Sequence, residues 1–120
     1  MLNSLLIIYC SLILLCMDIL QLSHHLDNLL DIKEIKDSPN SVNGLQMQNT
    51  GQIKKVGLAV DFCMATIKKA IRAECNMMFV HHGMLWGGLK PISGNFYAKV
   101  STMVRENLGL YSAHLPLDMH

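Results

Sequence analysis

Three short apolar runs, Lys55 to Val60, Met77 to Val80 and Leu108 to Ala113, constrain the fold of this chain more than any other feature. Each is enriched in residues that suit a strand covered on both faces, and none shows the strict alternation of a half-exposed strand. The segments between them have a different period. From Ala65 to Glu74, Ile67, Ala70 and Ile71 fall on one side, with Met64 just before, and Lys68, Lys69 and Arg72 on the other. From Tyr97 to Asn107, Val100, Met103 and Val104 oppose Lys99, Arg105 and Glu106. Both read as crossover helices, and strand, helix, strand, helix, strand is the signature of an α/β unit with right-handed crossovers in one parallel sheet. A further amphipathic helix is expected from Asp18 to Ile32, where Ile19, Leu22, Leu26, Leu29 and Leu30 form one face. Asp37 to Gln46 reads as a long loop, because Pro39 and Gly44 argue against regular structure across it. Loops of that length often border a site.

In a parallel α/β unit ligands gather outside the carboxyl ends of the strands. The polar residues of this sequence fall there: Asp61 after the first run, His81 and His82 after the second, His114 and Asp118 after the third. Neighbouring side chains of an extended segment point opposite ways, so His81 and His82 can offer an imidazole to each of two positions. A carboxylate from the next strand end can bridge them, and paired metals with a bridging carboxylate form a common hydrolytic arrangement. Nitrogen and oxygen donors without thiolate suit zinc, iron, manganese or cobalt and do not separate them. The plainer readings stand beside this one. A histidine pair alone is more often structural; Asp61 reads first as a helix N-cap. His114 and His120 read as groups that orient ligands or bind an anion. Trp86, Gly83, Gly87 and Gly88 read as loop packing, with a wall over substrate as the lesser reading. His24 and His25 sit in mid-helix and read as a solvated face.

A net charge of +1 offers no long-range field to recruit nucleic acid. Much of the apolar excess lies in Leu5 to Cys16, which is shorter than the ~20 residues that cross a bilayer. No Lys or Arg precedes Lys33, as a signal peptide would need. Residues 1–16 are therefore an apolar leader with three open readings: a mis-assigned start upstream of Met17, a signal-like or membrane-surface segment, or a buried helix. Residues 17–120 form the domain. Cys63 and Cys75 fall at the start and end of one predicted helix, beyond the ~7 Å between Cα atoms that a disulfide allows. Reduced thiols in a cytoplasmic protein are expected, with no membrane partner unless the leader is real.

The stretches Asn43-Gly44-Leu45-Gln46, Val56 to Asp61, Val80-His81-His82-Gly83-Met84-Leu85-Trp86 and Leu110 to His120 resemble, in order and spacing, the dinuclear metal-centre family known as GTP cyclohydrolase 1 type 2 homologues. The resemblance runs from about Met17 to the last residue. It implies a toroidal homohexamer with paired divalent metals, for which His81, His82 and Asp118 are the matching ligands and Asp118 the bridge. It also implies that the family fold continues past the His-Leu-Pro-Leu-Asp motif to a His-x-x-x-Glu pair that completes both metal spheres. The expectation is thus the N-terminal half of that fold, from a split gene or a fragment. The function expected is metal-dependent hydrolysis of a nucleotide-like substrate, with a non-enzymatic metal-binding assembly or regulatory protein, or an inactive gene fragment, as the alternatives.

Overall fold

The computed structural model describes the backbone of residues 5–9 and the whole of residues 17–120. In chain order its elements are β1 (Leu5–Tyr9), α1 (Ile19–Leu29), β2 (Gly44–Met47), β3 (Lys55–Asp61), α2 (Met64–Arg72), β4 (Met77–His82), α3 (Gly94–Arg105), β5 (Gly109–Ser112) and α4 (Leu115–Asp118). One sheet has the order β1-β3-β4-β5-β2. Its three central strands are parallel, with Leu58 opposite Phe79 and Phe79 opposite Tyr111. The expected βαβαβ unit is present, since α2 links β3 to β4 and α3 links β4 to β5. Burial on both faces explains why these strands read as continuous apolar runs.

Both edges of the sheet are antiparallel additions that the sequence reading did not contain. β2 pairs with β5, Gly44 opposite Ser112, with an irregularity between Leu45 and Met47. Gly44 and Gln46, expected to be loop, therefore lie in a strand. Gly44 takes φ +111°, a backbone conformation that glycine adopts without a Cβ penalty, and so turns the chain into this strand. β1 pairs with β3 from Leu5 opposite Ala59 to Tyr9 opposite Lys55. That part of the apolar leader is a strand, not the helix weighed for it. A short apolar run carries no period that separates the two. The rest of the leader, residues 1–4 and 10–16, lies outside the described residues.

Alternation along the strands sorts the core into two layers. Met78 and Val80 of β4 and Leu110 of β5 pack with Ile67 and Ala70 of α2 and Met103 of α3. On the other face Met77 and Tyr111 pack with Ile19 and Leu22 of α1. Asp18 caps α1, its carboxylate accepting from the Gln21 N–H at 2.9 Å while the Gln21 side chain accepts from the Asp18 N–H at 3.1 Å. Tyr111 is fully buried, and its hydroxyl donates to Asp27 Oδ1 at 2.8 Å, fastening β5 to α1. Burial, with the Asp27 hydrogen bond and charge, pushes the Tyr111 phenol far above its ordinary pKa, so it stays a donor. Beyond α1 the sheet leaves an apolar groove of about 690 Å³ between Leu26, Leu29, Leu58, Val60, Phe79 and Leu117. Among the described residues no helix is long and apolar enough to cross a membrane.

Candidate metal centre

The carboxyl ends of β4 and β5 bring together what the sequence placed there. One ring nitrogen each from His81, His82 and His114 lies within 4.8 Å of the others. The His81 and His82 rings are 4.7 Å apart between centroids at 71°, and His81 and His114 are 4.7 Å apart at 64°. The two β4 histidines leave the strand toward opposite faces, as alternation demands: His81 borders the apolar groove, and His82 a polar cleft toward α2 and α3. Their rings nevertheless converge at the strand end, where no further sheet holds them apart.

Each histidine has one carboxylate partner, and each partner comes from a different element. His81 Nε2 lies 2.9 Å from Asp118 Oδ1 at the end of α4, the short helix that follows β5. His82 Nδ1 lies 2.8 Å from Asp61 Oδ1 at the end of β3. His114 Nδ1 lies 3.1 and 3.2 Å from the two oxygens of Asp37. The expected N-cap role of Asp61 is not found. Cys63 is the N-cap of α2, and Thr66 Oγ1 donates to the Asp61 carbonyl at 2.8 Å, leaving the Asp61 carboxylate to His82. His114, expected in a supporting role, is inside the cluster. His120 lies exposed at the end of the chain, outside the cluster, and His24 and His25 are exposed on α1 as expected.

Sequence reasoning missed Asp37. Its side chain is only 5% exposed, and beside His114 it accepts from the Leu115 N–H at 2.9 Å and from Asn43 Nδ2 at 3.0 Å. Asn43 Oδ1 in turn accepts from the His114 N–H at 2.7 Å. Burial alone would raise the Asp37 pKa, but hydrogen bonds from Asn43, His114, Leu115 and Ser41 outweigh it and hold the carboxyl far below the usual carboxylate range. The loop is thus clamped to the β5–α4 junction. No local motif marks an aspartate that meets its partner 77 residues later; the one available signal was the length of the loop. A second clamp comes from β2, where Gln46 Oε1 accepts from the Met84 N–H at 2.7 Å. Over the cluster lies Trp86, its ring 4.4 Å from His114 and 4.9 Å from His82 between centroids. Sequence reasoning gave that residue mainly to loop packing.

Donor chemistry fits a divalent ion, since imidazole nitrogen and carboxylate oxygen both bind such ions. His81 Nε2 and Asp118 Oδ1 share a 2.9 Å hydrogen bond that a common ion could replace, and the three histidine nitrogens lie within 4.8 Å of one another. Asp61 and Asp37, facing Nδ1 of His82 and His114, also supply the orienting partners that metal-binding histidines usually have.

Comparison with known proteins agrees with this architecture. Residues 17–120 match the family described as Duf34/NIF3 (NGG1p interacting factor 3). The chain is 39% identical over 104 residues to a GTP cyclohydrolase 1 type 2 homolog of Archaeoglobus fulgidus, covering 87% of this chain and 42% of that protein. It is 44% identical over 81 residues to a homolog of the same name from Treponema pallidum, covering 67% and 28%. Among solved structures it superimposes on TTHA1606 from Thermus thermophilus with a TM-score of 0.81 at 39% identity, covering 87% of this chain and 43% of that one. The chain thus spans about two-fifths of the length of such relatives, and the fold described above is a part of theirs.

Proposed function

The chain belongs to the Duf34/NIF3 family, and on that footing we propose that His81, His82 and Asp118 are ligands to a pair of divalent metal ions. The observation that supports this most is the convergence of the strand-end histidine nitrogens, with Asp118 hydrogen-bonded to His81 beside them. Zinc, iron, manganese and cobalt all suit such nitrogen and oxygen donors. Bound there, such ions would lower the pKa of water and steady a leaving oxygen. The chain's own residues have separable tasks. Asp61 and Asp37 fix the ring orientations of His82 and His114 through Nδ1, and Trp86 packs against the His82 and His114 rings.

The activity that fits is metal-dependent hydrolysis of a nucleotide-like substrate, in keeping with the name of the relatives. A second reading is a metal-binding assembly or regulatory protein without turnover, or an inactive fragment. Assaying GTP turnover beside metal content separates them: metal-dependent turnover supports the hydrolase, and retained metal with no turnover supports the second reading. Assembly belongs to the same proposal. A homo-oligomer, hexameric as the resemblance implies, would cover the apolar groove beside Leu29 and Leu117, and sedimentation velocity would give its mass. A reducing, cytoplasmic setting suits Cys63 and Cys75, both free thiols.

A further inference from the structure

On the α2–α3 side of His82 lies a polar cleft of about 280 Å³, bordered by Asp61, His82, Trp86, Lys90, Phe96 and Lys99. Its two lysines are held in a particular way. Lys90 Nζ lies 4.9 Å from the centre of the Phe96 ring, and Lys99 Nζ lies 5.6 Å from that of Phe62, another residue of the cleft wall. An ammonium within ~6 Å of a ring face is attracted to it, so each lysine is drawn toward the aromatic wall of the cleft. Neither lysine is in an ion pair among the described residues. The carboxylate that lines the cleft, Asp61, is turned to His82 at 2.8 Å. Two positive charges therefore border a cavity large enough for a tetrahedral oxyanion, while the opposite side of the histidine cluster opens on an apolar groove.

We propose that Lys90 and Lys99 form a subsite for the phosphate group of the substrate, placing a phosphate dianion beside His82. The assignment of this phosphate to a substrate rests on the reading of the strand-end cluster as the functional site, whereas the binding of the anion does not. Ammonium groups take phosphate as point charges with three donors each, and two of them match the double charge of a phosphate monoester near pH 8. Trp86, on the border of both cleft and cluster, would lie against the remainder of the molecule.

Inorganic phosphate is the probe, titrated calorimetrically into chelator-treated protein at pH 8, with acetate as the comparison anion. The Lys90→Gln/Lys99→Gln double variant is expected to bind phosphate at least about tenfold more weakly, the loss of charged hydrogen bonds. Its circular dichroism and its metal content should match those of the wild type, and Lys99→Arg should restore part of the affinity to a Lys99→Gln variant. Equal phosphate affinity in wild type and double variant would overturn the proposal, as would a wild type that binds phosphate no better than acetate. Phosphate binding that depends on the lysines in a protein that takes up no metal would support the subsite and refute the metal reading instead.

Discussion

Three histidines converge at the end of the sheet, and each is held by an aspartate from a separate element: Asp118 from α4, Asp61 from β3 and Asp37 from the loop before β2. The sequence made His81, His82, His114 and Asp118 legible as strand-end groups, because all follow apolar runs and strand ends can be read from a period, whereas Asp61 read first as a helix N-cap. Asp37 was illegible because only the folded chain brings it to His114. Its low pKa gives the pairing a signature in stability. A carboxyl whose pKa is depressed by folding stabilises the native state above its unfolded value of ~3.9, and that contribution is lost as pH falls below it. Asp37→Asn is expected to lower stability at pH 7 by about 1–3 kcal/mol, since the Asn43, His114 and Leu115 donors lose a charged acceptor. Urea unfolding at pH 7 and at pH 3 checks it, and the difference between wild type and variant should shrink at the lower pH.

At the scale of elements, the parallel strands and both crossover helices were legible because burial on both faces and helical amphipathicity each leave a distinct pattern. The edge strands were not. β2 is four residues long and begins at a glycine, so its composition is that of a turn, and only its pairing with β5 makes it a strand. Its contribution to the site is Gln46, whose amide oxygen holds the Met84 N–H in the loop after β4. A Cβ on Gly83 would overlap that amide. Gly83→Ala is therefore expected to displace Gln46, leave the Met84 N–H without its acceptor and cost about 1–3 kcal/mol by thermal or urea unfolding. On the far face of the sheet, Tyr111→Phe removes the hydroxyl that joins β5 to Asp27 of α1. A loss of about 1–2 kcal/mol is expected, with the metal content unchanged because the site lies beyond the strand end.

Over the whole molecule, the sheet divides two environments that meet at the histidines: an apolar groove under α1 and a polar cleft under α2 and α3. His81 faces the first and His82 the second, so the pair samples both sides of the sheet from one strand end. The relatives are more than twice as long as the matched region, since it covers 42% of one and 43% of another. The ligands proposed here have a definite test, the divalent metal content of the purified chain by mass spectrometry after incubation with zinc or manganese and removal of excess. The expected result is bound metal in the wild type and at least about tenfold weaker retention in His82→Ala and Asp118→Ala variants with native circular dichroism. Equal metal content in all three proteins, or none in the wild type, would contradict the assignment of these residues as ligands.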